Sequence, residues 1–421
     1  MAKQMFLYID PATGGMLFTI LFSLIGTVLY FLKSLRIKIK YRLGKKEAME
    51  KNRDKLPIVI FVDDKRYWNV FEPICDEMER RKQKLHYLTM SEDDPVLEKQ
   101  YEYISAECIG TGNKAFSRLN YLSAVVMVST TPSLDVFQWK RSKNVQYYIH
   151  IFHAPNDVVL YRMFGIDYYD ALLLSGEYQV EQIRTLERLR GLPQKELELV
   201  GIPYLDVLKA RLERTEPIGE HERTVLVAPT WGNNGILKKY GERLLDVLVQ
   251  TGYRIVVRPH PQSFTTEKEM IDRLMKKYED YSNLEWNRDN DNFDILHQSD
   301  IMISDYSGVI FDFALVFRKP VIFTQLNLDL SPYDGAWLDE ELWTYSALPR
   351  LGRELRDEDI DGIGKLIDTC LEDPEFQREA DGVREETWVH VGEGAVRATD
   401  YILRKYQEVL SDVDPAETED E

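Results

Sequence analysis

Two histidines in this 421-residue sequence each follow a short apolar run at a point where the chain must turn. His260 lies between two prolines, which exclude a helix there and fix the direction of the imidazole. His153 follows the apolar residues 147–152 and precedes an Ala-Pro-Asn-Asp turn. An imidazole held at the end of a strand can donate to a phosphate or move a proton. Both residues are therefore candidates for phosphoryl-transfer chemistry.

A third stretch, residues 301–324, has the pattern of an anion-binding site. A short apolar strand is followed by Ser304, Asp305, Ser307 and Gly308, and then by a mostly apolar helix. The unpaired N–H groups at such a helix start favour phosphate. Arg258, two residues before His260, adds a fork-shaped donor that suits phosphate oxygens. The plainer interpretations are an ordinary strand–helix unit with a good N-cap, and a surface turn that contains a histidine.

Two further features have weaker functional interpretations. His150 lies three residues before His153 and would face the opposite side of an extended strand, so we expect it to pack in the core. Asp63 and Asp64 end the first predicted strand, where they form either a metal-binding pair or a capped turn. The sequence contains no Walker A loop, no HExxH, no paired CxxC and no GxSxG elbow.

The composition excludes some classes of protein. A formal net charge of -18 argues against a general nucleic-acid binder, which would present a basic face. Cys75, Cys108 and Cys370 fit no metal-ligand spacing and indicate buried thiols in a reducing compartment.

The N-terminal residues differ from the rest of the chain. Residues 16–32 carry no charge, and residues 33–46 are basic without an acidic side chain. This order predicts a membrane anchor over residues 1–46, with the bulk of the chain on the cytoplasmic face of the cell membrane and in contact with membrane lipids. A buried N-terminal helix and a re-entrant or interfacial helix are the alternatives.

From residue 55 onward, apolar strands alternate with helical segments, which predicts an α/β protein with parallel sheets. A polar stretch at residues 214–223 divides the pattern into two Rossmann-like domains at residues 55–205 and 223–395. Such halves place a ligand cleft at the carboxyl ends of their strands. Residues 396–410 are predicted to form a closing helix, and residues 411–421 an acidic disordered tail.

Several of these stretches together resemble the CDP-glycerol glycerophosphotransferase family, which contains teichoic-acid primases and polymerases and related capsule enzymes. The resemblance covers roughly residues 125–405 and rests on the following segments in order: HIFHAPND, VLVAPTWG, YRIVVRPHPQS, ISDYSGVIFDFALVFRKPVIF and GEGAVR. This chain departs from the family pattern where Ala154 and Pro155 replace Gly-Thr, and where Gly308 replaces a second Ser.

The resemblance implies a glycosyltransferase type B architecture, in which two Rossmann-like domains face a cleft, without a catalytic metal. It implies that His153 is the base and His260 a ligand of the donor phosphate. The remaining donor-site residues implied by it are Arg258, Ser304, Asp305, Ser307, Gly308 and Thr230. The expected reaction moves a polyol phosphate, foremost glycerol phosphate from CDP-glycerol, to an acceptor hydroxyl and releases CMP.

The expected partners are a CDP-polyol donor and a lipid-linked or glycan acceptor in a teichoic-acid-like or capsular polymer, and no nucleic acid. Two alternatives remain open at this point. One is a glycosyltransferase that uses a nucleotide sugar on the same fold, and the other is a non-catalytic membrane scaffold. The sequence leaves open the polyol, the acceptor and whether the protein forms a homo-oligomer.

Overall fold

The computed structural model describes residues 25, 27, 28, 31–33, 55–233, 235–289, 291–305, 307–324 and 329–413. Almost all of the predicted anchor at residues 1–46 lies outside these ranges, as does most of the acidic tail at residues 411–421. Within the described ranges, no helix combines the length and the apolar character needed to cross a membrane.

The first half of the chain forms one sheet of seven parallel strands in the order β3-β2-β1-β4-β5-β6-β7. Its strands are almost entirely apolar in the middle of the sheet, as is typical of parallel strands covered on both faces. The strands are β1 (Leu56–Val62), β2 (Leu85–Thr89), β3 (Ile104–Cys108), β4 (Ser123–Ser129), β5 (Asn144–Ile151), β6 (Ala171–Leu174) and β7 (Glu196–Leu199).

Helices cover both faces of this sheet and bury two apolar clusters against it. They are α1 (Trp68–Arg80), α2 (Gly112–Asn120), α3 (Tyr178–Arg190) and α4 (Pro203–Arg214). In α1, for example, Phe71, Ile74 and Met78 recur at helical spacing and are fully buried.

The second half forms a sheet of six parallel strands in the order β10-β9-β8-β11-β12-β13. The strands are β8 (Thr224–Ala228), β9 (Arg254–Val257), β10 (Leu284–Trp286), β11 (Ile301–Ser304), β12 (Val321–Thr324) and β13 (Gly352–Leu355). In both sheets the order places the first strand of the half in an inner position, which creates a switch point at its carboxyl end.

The helices of the second half again lie on both faces of the sheet. They are α5 (Ile236–Lys239), α6 (Gly241–Leu248), α7 (Ser263–Thr266), α8 (Lys268–Lys277), α9 (Phe293–Gln298), α10 (Val309–Phe311), α11 (Trp343–Leu351), α12 (Ile363–Leu371) and α13 (Phe376–Thr387). The helix predicted after Gly308 is present, but it continues past Phe311 as a π-helix over Asp312–Val316.

The last helix, α14 (Gly394–Val413), returns from the second half and packs on the first. Its residues Ala398, Tyr401 and Ile402 join the buried cluster beneath the first sheet. Lys405 pairs with Glu196 at the edge of that sheet, at 2.6 Å. The predicted closing helix is therefore present, and two parallel α/β sheets face each other as expected from the sequence.

A buried carboxylate also ties the two halves together near the cleft. Asp157, in the loop after β5, accepts hydrogen bonds from the backbone N–H groups of Trp343 (2.8 Å) and Thr344 (3.0 Å). It thereby caps the start of α11, which belongs to the second half. This contact fixes one end of the loop that contains His153.

Candidate active site

A cavity of about 500 Å³ opens at the carboxyl end of the second sheet, where β8, β9 and β11 end side by side. Its walls are Thr230, Trp231, Gly232, Asn233, His260, Ser307 and Gly308. Four of the predicted donor-site residues, Thr230, His260, Ser307 and Gly308, therefore meet in one space. The structure brings them together because the loops that follow neighbouring parallel strands all begin at the same edge of the sheet.

Ser304 and Asp305 shape this cavity from behind, and both side chains are fully buried. The Asp305 carboxylate accepts hydrogen bonds from the backbone N–H of Thr230 (2.9 and 3.1 Å) and of Ile236 (3.0 Å). The Ser304 hydroxyl donates to the carbonyl of Ala228 at 2.6 Å. These contacts hold the loop after β8 against the end of β11, so the two residues position the cavity wall.

His260 presents its ring to the cavity in a defined orientation. Its Nδ1 accepts the backbone N–H of Gln262 at 3.1 Å, so Nε2 carries the proton of the neutral ring and can donate to an anion. Burial lowers the pKa of His260, and the nearby positive charge of Arg66 lowers it further, while Glu267 opposes both effects. The imidazole is thus a neutral hydrogen-bond donor near pH 7.

Arg258 also follows strand β9, but its side chain contacts residues outside the cavity wall. Its guanidinium donates to the side-chain oxygen of Asn287 and, at 2.8 Å, to the carbonyl of Asp289, both just after β10. It is absent from the cavity wall. The structure therefore places Arg258 beside the neighbouring strand end, and its predicted contact with a donor phosphate stays a prediction.

Gly308 departs from the family pattern without closing the cavity. Its backbone has an ordinary negative φ of -56°. A Cβ atom added there would meet none of the described atoms within 4 Å. A serine Cβ would consequently fit at this cavity-lining position.

On the other side of the cleft, His153 lies at the carboxyl end of the first sheet. Its Nδ1 is 3.0 Å from the hydroxyl of Thr130, and the Tyr67 ring lies against it with a centroid distance of 4.8 Å. Burial lowers the pKa of His153 to about 4, and the charge of Arg66 contributes to this shift. A neutral imidazole with one nitrogen still available is suited to accept a proton.

His150 has the packing role that the strand alternation predicts. Its side chain is fully buried among aromatic rings, and its Nε2 lies 3.2 Å from the Tyr161 hydroxyl. Burial lowers the pKa of His150 to about 3. The ring is therefore neutral and packed in the protein interior.

The turn after β1 was not recognised from sequence as part of the site, apart from the aspartate pair. Asp64 caps this turn by accepting the backbone N–H of Arg66 at 2.9 Å, and Asp63 accepts the hydroxyl of Thr131 at 2.8 Å. Of the two interpretations of this pair, the geometry favours the capped turn. Across the described ranges, no group of three or more His, Cys, Asp or Glu side chains is arranged to hold a metal ion.

Comparison with known proteins identifies a family and a fold. A family model described as CDP-Glycerol:Poly(glycerophosphate) glycerophosphotransferase matches residues 46–339. The chain is similar to the teichoic acid ribitol-phosphate polymerase TarK of Staphylococcus aureus, with 29% identity over 33% of this chain and 29% of that protein. It is also similar to the teichoic acid glycerol-phosphate primase of Bacillus subtilis, with 28% identity over 41% of this chain and 44% of that protein.

The chain thus spans less than half the length of the curated relatives that it matches. Among solved structures, it is similar in fold to the UDP-GlcNAc 2-epimerase of Methanocaldococcus jannaschii, with a TM-score of 0.55 and 13% identity over 82% of this chain and 99% of that chain. The corresponding epimerase of Neisseria meningitidis gives a TM-score of 0.54 and 12% identity over 84% of this chain and 100% of that chain. These similarities show a fold of the glycosyltransferase B type.

Proposed function

Because the chain belongs to the CDP-glycerol:poly(glycerophosphate) glycerophosphotransferase family, we propose that it transfers glycerol phosphate from CDP-glycerol to an acceptor hydroxyl. The acceptor belongs to a teichoic-acid-like or capsular cell-envelope polymer, and CMP is released. One observation carries this proposal: His260, Ser307 and Gly308 meet in one cavity at the carboxyl ends of the second sheet. His153, the candidate base, follows the carboxyl end of a strand of the first sheet.

In the proposed reaction the donor diphosphate binds at the second sheet. His260 donates a hydrogen bond from Nε2 to a phosphate oxygen, and the hydroxyl and backbone of Ser307 bind another. His153 accepts the proton of the acceptor hydroxyl. That oxygen attacks the β-phosphorus, the bond from this phosphorus to the bridging oxygen breaks, and CMP leaves with the electron pair.

We propose that this reaction requires no catalytic metal. Phosphoryl transfer depends mainly on positioning and on charge stabilisation, which hydrogen-bond donors from the protein can supply. A purified assay after exhaustive treatment with a chelator tests this expectation, since full activity supports it and restoration by added Mg²⁺ contradicts it.

We also propose that the protein works at the cytoplasmic face of the cell membrane, through residues 1–46. The support is the uncharged run at residues 16–32 and the basic segment that follows it. Removal of residues 1–46 should release the protein from membranes, whereas sedimentation of the truncated protein with membranes at high salt would contradict the proposal.

Donor screening is the experiment that tests the proposed reaction. The purified protein is incubated with CDP-glycerol, CDP-ribitol or UDP-GlcNAc and a polyol-phosphate acceptor, and the released nucleotide is identified. We expect CMP from CDP-glycerol. Release from CDP-ribitol alone would change the assigned polyol, as the similarity to a ribitol-phosphate polymerase illustrates. Release of UDP from the UDP-sugar would contradict the proposal.

A further inference from the structure

Arg66 lies on the short turn Lys65–Tyr67 that directly follows β1, at the cleft edge of the first sheet. Its side chain is 62% exposed, and its Nε is 3.0 Å from a carboxylate oxygen of Asp64. Among the residues that the structure describes, no hydrogen-bond partner faces its two terminal nitrogens. The guanidinium is therefore held at one edge while its other donors remain available.

The neighbours of Arg66 place it beside the candidate base. The next residue, Tyr67, packs its ring against His153 at a centroid distance of 4.8 Å. The guanidinium carbon of Arg66 lies 6.0 Å from the centroid of the same Tyr67 ring. The Tyr67 ring is thus a neighbour of both the cation and the imidazole.

The charge of Arg66 also reaches the other side of the cleft. Burial is the main cause of the lowered pKa of both His153 and His260, and the positive charge of Arg66 is the next cause at each. These two histidines follow strands of different sheets. The charge of Arg66 therefore acts on one histidine from each half of the chain, the two that the proposed reaction uses.

An ordinary structural role accounts poorly for this arginine. An ion pair as exposed as that of Arg66 with Asp64 contributes only about 0–1 kcal/mol to stability. The cap of the turn uses the backbone N–H of Arg66 and does not need its side chain. Stability therefore gives little reason for a guanidinium at this position.

We propose that Arg66 is a further catalytic residue, which binds the phosphoryl group as it passes from the donor to the acceptor. This inference rests on the proposed function. The two terminal N–H₂ groups match two non-bridging phosphate oxygens, and their charge offsets the negative charge of the transition state. The first sheet then contributes both the base and a cation, while the second sheet contributes the donor cavity.

The test compares Arg66→Gln, Arg66→Lys and the parent in turnover and in nucleotide binding. We expect Arg66→Gln to lower kcat with CDP-glycerol by about 10²–10³-fold, the range for loss of one transition-state donor. Arg66→Lys should recover part of this loss, because the charge remains while the fork is lost. Affinity for CMP, which lacks the transferred phosphoryl group, should stay within about twofold.

Arg80→Gln is the matched control, since Arg80 is also exposed and paired with a carboxylate, Glu77, but lies at the far end of α1. It should leave kcat unchanged. A kcat of Arg66→Gln within threefold of the parent would overturn the proposal, and so would an equal loss of CMP affinity. If the parent instead releases UDP from a UDP-sugar, the proposed function fails. The role of Arg66 is then decided by comparing kcat with the UDP-sugar, and affinity for UMP, between Arg66→Gln and the parent.

Discussion

The Nδ1 atom of His153 lies 3.0 Å from the hydroxyl oxygen of Thr130. The two residues follow neighbouring parallel strands, β5 and β4, at the same edge of the first sheet. For Nε2 to act as a base, Nδ1 must carry the proton and donate it to Thr130. The threonine would then orient the imidazole toward the cleft and select its tautomer.

The first prediction concerns the base itself. His153→Ala should lower turnover by about 10²–10⁴-fold, the usual contribution of general-base catalysis. Affinity for CDP-glycerol should change only a few-fold, because the base acts on the attacking hydroxyl and not on the nucleotide. Steady-state kinetics together with calorimetric titration separate the two effects. Unchanged turnover would remove His153 from the mechanism.

A second prediction follows for the residue that orients the base. Thr130→Val keeps the shape of the buried side chain but removes the oxygen that faces His153. We expect kcat to fall by about 5-fold, the equivalent of one net hydrogen bond near 1 kcal/mol. Thr130→Ser serves as the control and should retain most activity. Equal rates for both variants would show that Thr130 does not orient the ring.

Much of this arrangement was predictable from the sequence because local patterns determined it. Apolar runs predicted most strands, and His153 and His260 were recognised because turn-forming residues place them at strand ends. The partner of His153 was not predictable, since Thr130 is 23 positions away and the pair depends on strand order. For the same reason Arg66 was not predicted, since its nearness to His153 through Tyr67 and the effect of its charge on His260 depend on the tertiary structure.

The structure shows a supporting role for two of the predicted donor-site residues. Ser304 and Asp305 were predicted to line the donor site, because small polar residues before a helix are typical of phosphate loops. The structure buries both and uses them to fix the backbone of the neighbouring loop. Helix α4 was not predicted, because the first domain was expected to end at residue 205, within the first turn of this helix.

A third prediction tests Asp305 as a residue that supports the cavity. Asp305→Asn removes the charged acceptor shared by the N–H groups of Thr230 and Ile236. We expect a loss of about 1–3 kcal/mol in the free energy of unfolding, together with weaker donor binding. Ser307→Ala should weaken donor binding without this loss, because Ser307 lies on the cavity wall. Denaturant titration of the two variants separates the supporting role of Asp305 from the donor contact of Ser307. Equal stability of Asp305→Asn and the parent would contradict the supporting role of Asp305.

A fourth prediction concerns the pH dependence of stability through His150. The pKa of this buried ring is lowered to about 3 in the folded protein, against about 6.5 for an unfolded chain. The unfolded state therefore binds more protons between these values. The resulting stability is complete above pH 6.5 and is lost as the pH falls toward 3.

The linkage relation gives a loss of roughly 2 kcal/mol between pH 7 and pH 5 from His150 alone. His150→Gln, which cannot titrate, should lower stability at pH 7 but flatten the dependence on pH by that amount. Denaturant titrations at pH 7 and pH 5 measure how much the free energy of unfolding changes with pH in the parent and in the variant. Parallel pH profiles would show that His150 is not the group responsible.

The last prediction separates His260 from Arg258, two residues that the sequence placed in one phosphate-binding motif. His260→Ala removes a cavity-lining donor whose Nε2 is oriented by the hydrogen bond at Nδ1. A hydrogen bond to a charged phosphate is worth about 1.5–3 kcal/mol. Donor affinity should therefore fall by roughly 10- to 150-fold. Ser307 remains in the cavity wall, so weak binding should persist.

Arg258→Ala should behave differently, because its guanidinium is engaged by Asn287 and by the carbonyl of Asp289. We expect a loss of stability, since these partners would be left unpaired, and a smaller loss of donor affinity than in His260→Ala. Calorimetric titration with CDP-glycerol and denaturant unfolding are needed for both variants. If Arg258→Ala lost donor affinity as strongly as His260→Ala at unchanged stability, the arginine would have to turn into the cavity when the donor binds. If neither variant lost affinity, the cavity beside Ser307 would not be the site of the donor phosphate.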